Sequence, residues 1–172
     1  MRGEEARLGS ASVLVTGGDE AADAVEHESN VIGVTYERDA ESWLAQWSGD
    51  ADRVVVVSVG EQSRGSAAAT ASADCAEAAS GVVETVPRES AVGEVGALVH
   101  EYLSAWEGAT TVRVDDLASI LDAVSTETAF RFVHAVLART EAGEDTAVVS
   151  LDSDAYPPHV VDTFAELFDD VR

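Results

Sequence analysis

"VLVTGGDEAADA", Val13 to Ala24, decides how the rest of the chain is read. An apolar, β-branched run ends at Thr16, two glycines follow, and the chain opens into Ala-rich sequence of helical character. A strand that stops at glycines and gives way to a helix is the repeating unit of α/β proteins. Further runs of strand type stand at Val31–Thr35, Val54–Val59, Val82–Val86, Thr111–Val114 and Thr146–Leu151. Several are nearly continuous hydrophobics, the pattern of parallel strands covered on both faces. Between them apolar residues recur at helical spacing. The stripes are Val92, Val95, Val99, Tyr102, Leu103 and Trp106, then Phe130, Val133, Val136 and Leu137 behind a Ser125 or Thr126 cap. A last stripe, Val160, Val161, Phe164, Leu167 and Phe168, enters through proline, and a weaker helix covers Trp43, Leu44 and Trp47.

The alternation predicts an α/β fold: three layers, a mostly parallel sheet with helices on both faces, joined by right-handed crossovers. The 172 residues suit one well-buried domain. Its expected extent is 12–172, after a disordered segment over 1–11. The stretch Glu61–Gly81 is rich in Ala, Ser and Gly and lacks large apolar residues, so a flexible insert is expected there.

The charge is lopsided. Asp and Glu total 33 against ten basic residues, every one of them arginine, for a formal net charge of −23. At ordinary ionic strength such self-repulsion works against the compact state; in molar salt the Debye length falls to about 3 Å and the repulsion is screened. The composition therefore reads as halophilic adaptation to a salt-filled cytoplasm. No basic patch offers a footprint for nucleic acid or an anionic membrane. No run reaches the roughly 20 apolar residues of a membrane span, and the first residues are charged rather than of signal-peptide type. A cytoplasmic protein is expected.

Set against the phosphate-loop pattern G-x-x-x-x-G-K-[ST], Gly17 takes the first glycine. Ala22 stands at the second, Asp23 at the lysine and Ala24 at the hydroxyl. A working loop needs backbone N–H groups around a phosphate, a cation on it and a hydroxyl for Mg²⁺. An aspartate about 4 Å from a phosphate oxygen costs about 4 kcal/mol per pair of unit charges at an effective dielectric of 20. No lysine exists elsewhere in the chain to replace the missing cation.

Ligands of open α/β sheets bind outside the carboxyl ends of the strands. Those ends carry Asp19, Glu37, Asp115, Asp116, Asp152 and Asp154. In so acidic a chain, solvated loop acids and helix caps account for most of them. Asp115 follows "TTVRV" directly, where a carboxylate on a rigid strand tip is placed to hold Mg²⁺ or a water. The histidines, His27, His100, His134 and His159, form no ligand spacing, and His134 reads as a surface residue rather than a base. Cys75 is alone and without a basic neighbour, so neither a disulfide nor an activated thiol is indicated.

Taken in order, "VLVTGG", "VIGVTYERDAESWLAQW", "RVVVVSVG", "TTVRVDDLASIL", "FRFVHAVLAR" and "DTAVVSLDSDAY" resemble the core of RecA/KaiC-type ATPases. The likeness is to a group of haloarchaeal proteins that carry a degenerate version of that core. It runs from about Ser12 to Arg172. The resemblance implies that Asp115 matches the Walker B aspartate and Glu37 the acid that helps activate water. It also implies that the phosphate loop has been lost. A non-catalytic regulatory or scaffolding module is therefore expected, with a protein partner or self-association and no cofactor. The alternative is an atypical nucleotide-binding protein or weak ATPase, binding ATP and Mg through Gly17, Gly18, Glu37 and Asp115, with Asp115 on the metal. An unrelated enzyme on a Rossmann-like sheet has little support, since G-x-G-x-x-G is not completed.

Overall fold

The computed structural model describes residues 12–17, 30–36, 40–47, 51–60, 81–87, 91–115, 117–143 and 145–172. The segment 1–11, residues 61–80 of the Ala/Ser-rich stretch, and Gly18, Asp19, Asp23, His27, Glu37, Cys75 and Asp116 lie outside them.

Seven strands form one sheet in the order β4-β3-β2-β5-β6-β1-β7. They are β1 (Ser12–Val15), β2 (Asn30–Tyr36), β3 (Arg53–Val59), β4 (Val82–Val86), β5 (Thr110–Val114), β6 (Thr146–Ser150) and β7 (Asp170–Val171). Every pairing is parallel, so the sheet is more uniform than the mostly parallel one expected. Five helices are described: α1 (Ala40–Trp47), α2 (Ala91–Ala105), α3 (Leu117–Ala123), α4 (Thr126–Ala142) and α5 (Pro158–Ala165).

Successive strand residues point to opposite faces, and the two faces have separate cores. On one face Leu14, Ile32, Val34, Val55, Val57, Val112, Val114 and Val149 meet Val95, Val99 and Tyr102 of α2, Ile120 of α3, Phe132 and Val136 of α4, and Phe164 of α5. On the other, Val31, Val54 and Val56 meet Ala40 and Trp43 of α1. Val13, Val15 and Val148 form a third cluster. Helices on both faces of the sheet give the three layers.

Several details depart from the sequence reading. The α4 stripe is Ala129, Phe132, Val133, Val136, Leu137 and Thr140. Phe132 is buried, whereas Phe130 is half-buried and meets Phe164 at 5.9 Å between ring centroids. Ser125, not Thr126, caps α4, its hydroxyl accepting from the Thr128 N–H at 3.2 Å. The helix starts at the cap position expected for it, with α3 ending just before at Ala123. Helix α5 stops at Ala165, so Leu167 and Phe168 pack from the turn beyond it. Strand β7 was not anticipated: two exposed residues carry no periodic signal.

Candidate functional site

Strand order fixes where a site can form. After β2 the chain moves to β3 on one side; after β5 it moves to β6 on the other. The crevice between the carboxyl ends of β2 and β5 is therefore a topological switch point, the position at which open α/β sheets receive ligands. Asp115 stands at its rim: its N–H donates to the Val34 carbonyl at 3.1 Å, extending the β2–β5 ladder by one bond.

On one face of the sheet the rim of the crevice is engaged by the protein itself. Gly33 sits inside β2 in register with Arg113 of β5. A Cβ on Gly33 would collide with the six-membered ring of Trp43, so only glycine lets α1 lay that ring on the strand. Trp43 is 6% exposed. Its indole N–H donates to Oδ2 of Asp115, 72 residues away in sequence and half-buried. The carboxylate that the sequence offered as a metal ligand thus serves as acceptor for a packed tryptophan. Arg113 and Thr35 alternate with the residues of the other core and so share the Gly33 face, both buried. The Thr35 hydroxyl has no hydrogen-bond partner among the described residues.

Gly17 lies elsewhere on the same edge. It follows β1, which β6 separates from β5. At about 4.8 Å per strand, β1 and β5 run about 10 Å apart, and β1 and β2 about 14 Å. Gly17 is exposed, its φ is outside the left-handed region, and a Cβ there would meet nothing within 4 Å. Nothing in its geometry requires glycine, unlike a loop that wraps a phosphate. Just before it, the Thr16 N–H and hydroxyl both donate to the Arg172 carbonyl, at 2.7 and 2.8 Å. The Thr16 carbonyl accepts from the Ser153 hydroxyl at 3.4 Å.

Of the proposed nucleotide residues, then, Gly17 and Asp115 share one end of the sheet without adjoining, while Gly18 and Glu37 lie outside the described residues. Asp152 and Asp154 are exposed loop acids, the Asp152 carboxylate accepting from the Asp154 N–H at 3.0 Å. His100, His134 and His159 are exposed. His100 meets the Arg139 guanidinium at 2.9 Å, a contact between α2 and α4. Among the described residues no group of three or more His, Cys, Asp or Glu is arranged to hold a metal. None of the described helices is long and apolar enough to cross a membrane.

Sequence reasoning missed three polar contacts. Tyr156 reaches from the β6–α5 connection to the Ala118 carbonyl and Asp122 Oδ1, at 2.9 and 2.7 Å. Glu84, buried on β4, accepts from the Tyr102 hydroxyl at 2.8 Å. Asp169 binds Ser12 through side chain and main chain. Gly33 within an apolar strand was the one legible signal of a close approach.

Residues 5–171 match a family described as a family of unknown function, DUF7504. No curated protein matches the chain. Among solved structures it is similar to one from a structural study of a Pyrococcus horikoshii OT3 protein, with a TM-score of 0.52 and 10% identity over 95% of this chain and 80% of that one. At that identity the likeness bears on the fold alone.

Proposed function

The chain belongs to that family of unknown function, DUF7504, and from this premise we propose that it is a non-catalytic regulatory or scaffolding module acting by protein–protein interaction. On this reading its core is a degenerate RecA/KaiC-like one whose phosphate loop has been lost. One observation carries most of the weight: the Asp115 carboxylate accepts from the indole N–H of Trp43, whose ring lies on Gly33 of β2. A carboxylate so used is poorly placed to take up Mg²⁺. Asp23 in place of the loop cation and the unstrained Gly17 support the same reading.

Its partner is another protein or a second copy, and not nucleic acid, because the charge of −23 is offset by no basic patch. The working medium is a salt-rich cytoplasm, where that charge is screened. Titration calorimetry with ATP and Mg²⁺ in molar KCl tests the reading: no heat of binding is expected. Pull-down in the same salt should recover a specific partner, and a strictly monomeric protein that recovers none would refute the interaction half.

A second reading keeps a nucleotide by an atypical route. Its support is that Gly17 and Asp115 lie at the same end of a parallel sheet. A saturable ATP isotherm that weakens in Asp115→Asn would establish it.

A further inference from the structure

Strand β1 is buried along its whole length, yet one of its two edges is closed by very little. The other neighbouring pairs in the sheet share four to seven registered positions. The β1–β7 pair shares two, Val13 with Asp170 and Leu14 with Val171. Both β7 residues are exposed, and Val171 at 46% is the exposed large hydrophobic among the described residues.

What holds β7 is polar. The Asp169 N–H donates to the Ser12 carbonyl at 3.1 Å and to its hydroxyl at 3.0 Å. The Asp169 carboxylate accepts from the Ser12 N–H and hydroxyl, each at 3.1 Å. Further along, the Arg172 N–H donates to the Leu14 carbonyl at 2.8 Å, and the Arg172 carbonyl takes both donors of Thr16. An element tied by edge hydrogen bonds with little apolar burial opens at lower free energy than the sheet behind it. Phe168, by contrast, is buried, and its N–H donates to the Ala165 carbonyl. Opening that begins in β7 therefore stops short of Phe168.

We propose that β7 is a placeholder, and that the outer edge of β1 accepts an extended segment of a partner protein that displaces residues 169–172. The proposal rests on the interaction reading above and gives it a surface. The occupant already seated there defines the chemistry of its replacement. The segment runs parallel to β1. It begins with a carboxylate or side-chain amide for the Ser12 N–H and hydroxyl, and it offers a carbonyl three residues later for Thr16. Between these its side chains stand where β7 leaves its own in solvent, so what they pack against comes from the rest of the partner. Strand addition of this kind takes affinity from the main chain and selectivity from alternate side chains. In the absence of a partner the shortness of β7 and its ion pair, Arg172 Nε to Asp170 at 2.8 Å, keep the edge from pairing indiscriminately.

Amide hydrogen exchange on the full chain in molar KCl is the first test. The Thr16 amide, bonded to Arg172, should exchange at least roughly tenfold faster than the Leu151 amide, which is bonded to Val15 on the inner side of β1. Equal rates would mean that β7 opens only with the whole sheet, and would overturn the proposal. The second test uses a fluorescein-labelled peptide of residues 166–172 as probe. A chain lacking 169–172, with unchanged circular dichroism, should bind it saturably and at least about tenfold more tightly than the full chain. No binding by the folded truncated chain refutes an acceptor edge; equal binding refutes masking by β7. If the truncated chain does not fold, the exchange comparison decides alone. A full chain that forms strand-exchanged dimers instead would replace the foreign partner with a second copy and overturn the proposal as stated. A partner captured equally by the full and truncated chains would sink this surface while sparing the interaction reading. Tight probe binding with no partner captured would do the reverse.

Discussion

At the β2–β5 crevice the sheet is closed by side chains: a tryptophan laid on a glycine, with its N–H on a carboxylate. At the β1–β7 edge, it is closed by main chain and a few polar groups, with the strand's own side chains in solvent. The first closure excludes water and depends on shape. The second leaves its residues wet and depends on hydrogen bonds whose net worth is about 1 kcal/mol apiece. One sheet thus uses shape to close one place and hydrogen bonds to close another.

Substitutions should separate the two regions cleanly. Trp43→Ala removes the ring that lies on Gly33 and should cost about 3–5 kcal/mol of unfolding free energy, measured by denaturant titration in molar KCl. Gly33→Ala forces a methyl group against the same ring, with an expected loss of about 1–3 kcal/mol. The two changes should be strongly non-additive, since removing the ring removes the clash. If their costs simply sum, the ring does not lie on Gly33. Asp115→Ala removes the indole's acceptor and should cost about 1.5–3 kcal/mol. Asp115→Asn, which keeps a carbonyl oxygen, should cost less. At the edge, Asp169→Ala should cost about 1 kcal/mol and accelerate Thr16 amide exchange without touching the crevice. Smallest of all, Gly17→Ala should fall within about 0.5 kcal/mol of the parent. Gly108→Ala, at φ 93°, makes the contrast, with an expected loss of about 1–2 kcal/mol. A large effect at Gly17 would revive the phosphate-loop reading.

The crevice was half legible in the sequence and the edge hardly at all. Apolar runs such as "RVVVVSV" announce buried parallel strands, and the spacing of Val95, Val99 and Tyr102 announces the face of α2. Asp115 could be placed on a strand tip because a carboxylate ends the apolar run of β5. Its engagement by Trp43 could not be read, because side-chain contacts between distant segments leave no periodic trace. The α4 stripe was misjudged by one residue, for Phe130 and Phe132 are equally apolar and only packing distinguishes them. β7 was invisible because Asp170 and Val171 sit in an edge where neither face is buried, so no pattern of period two arises.

The Ser12–Asp169 pairing links positions 157 residues apart. During synthesis β1 is among the first strands made, yet its inner neighbour begins at Thr146 and its outer one at Asp170. Its main-chain groups on both sides go without their sheet partners until nearly all of these residues have left the ribosome. Native pairing of that strand therefore waits for residues far downstream, and whatever shields "VLV" in the meantime, chaperone or transient non-native contact, acts on the opening residues of the sheet while its closing ones are still being made.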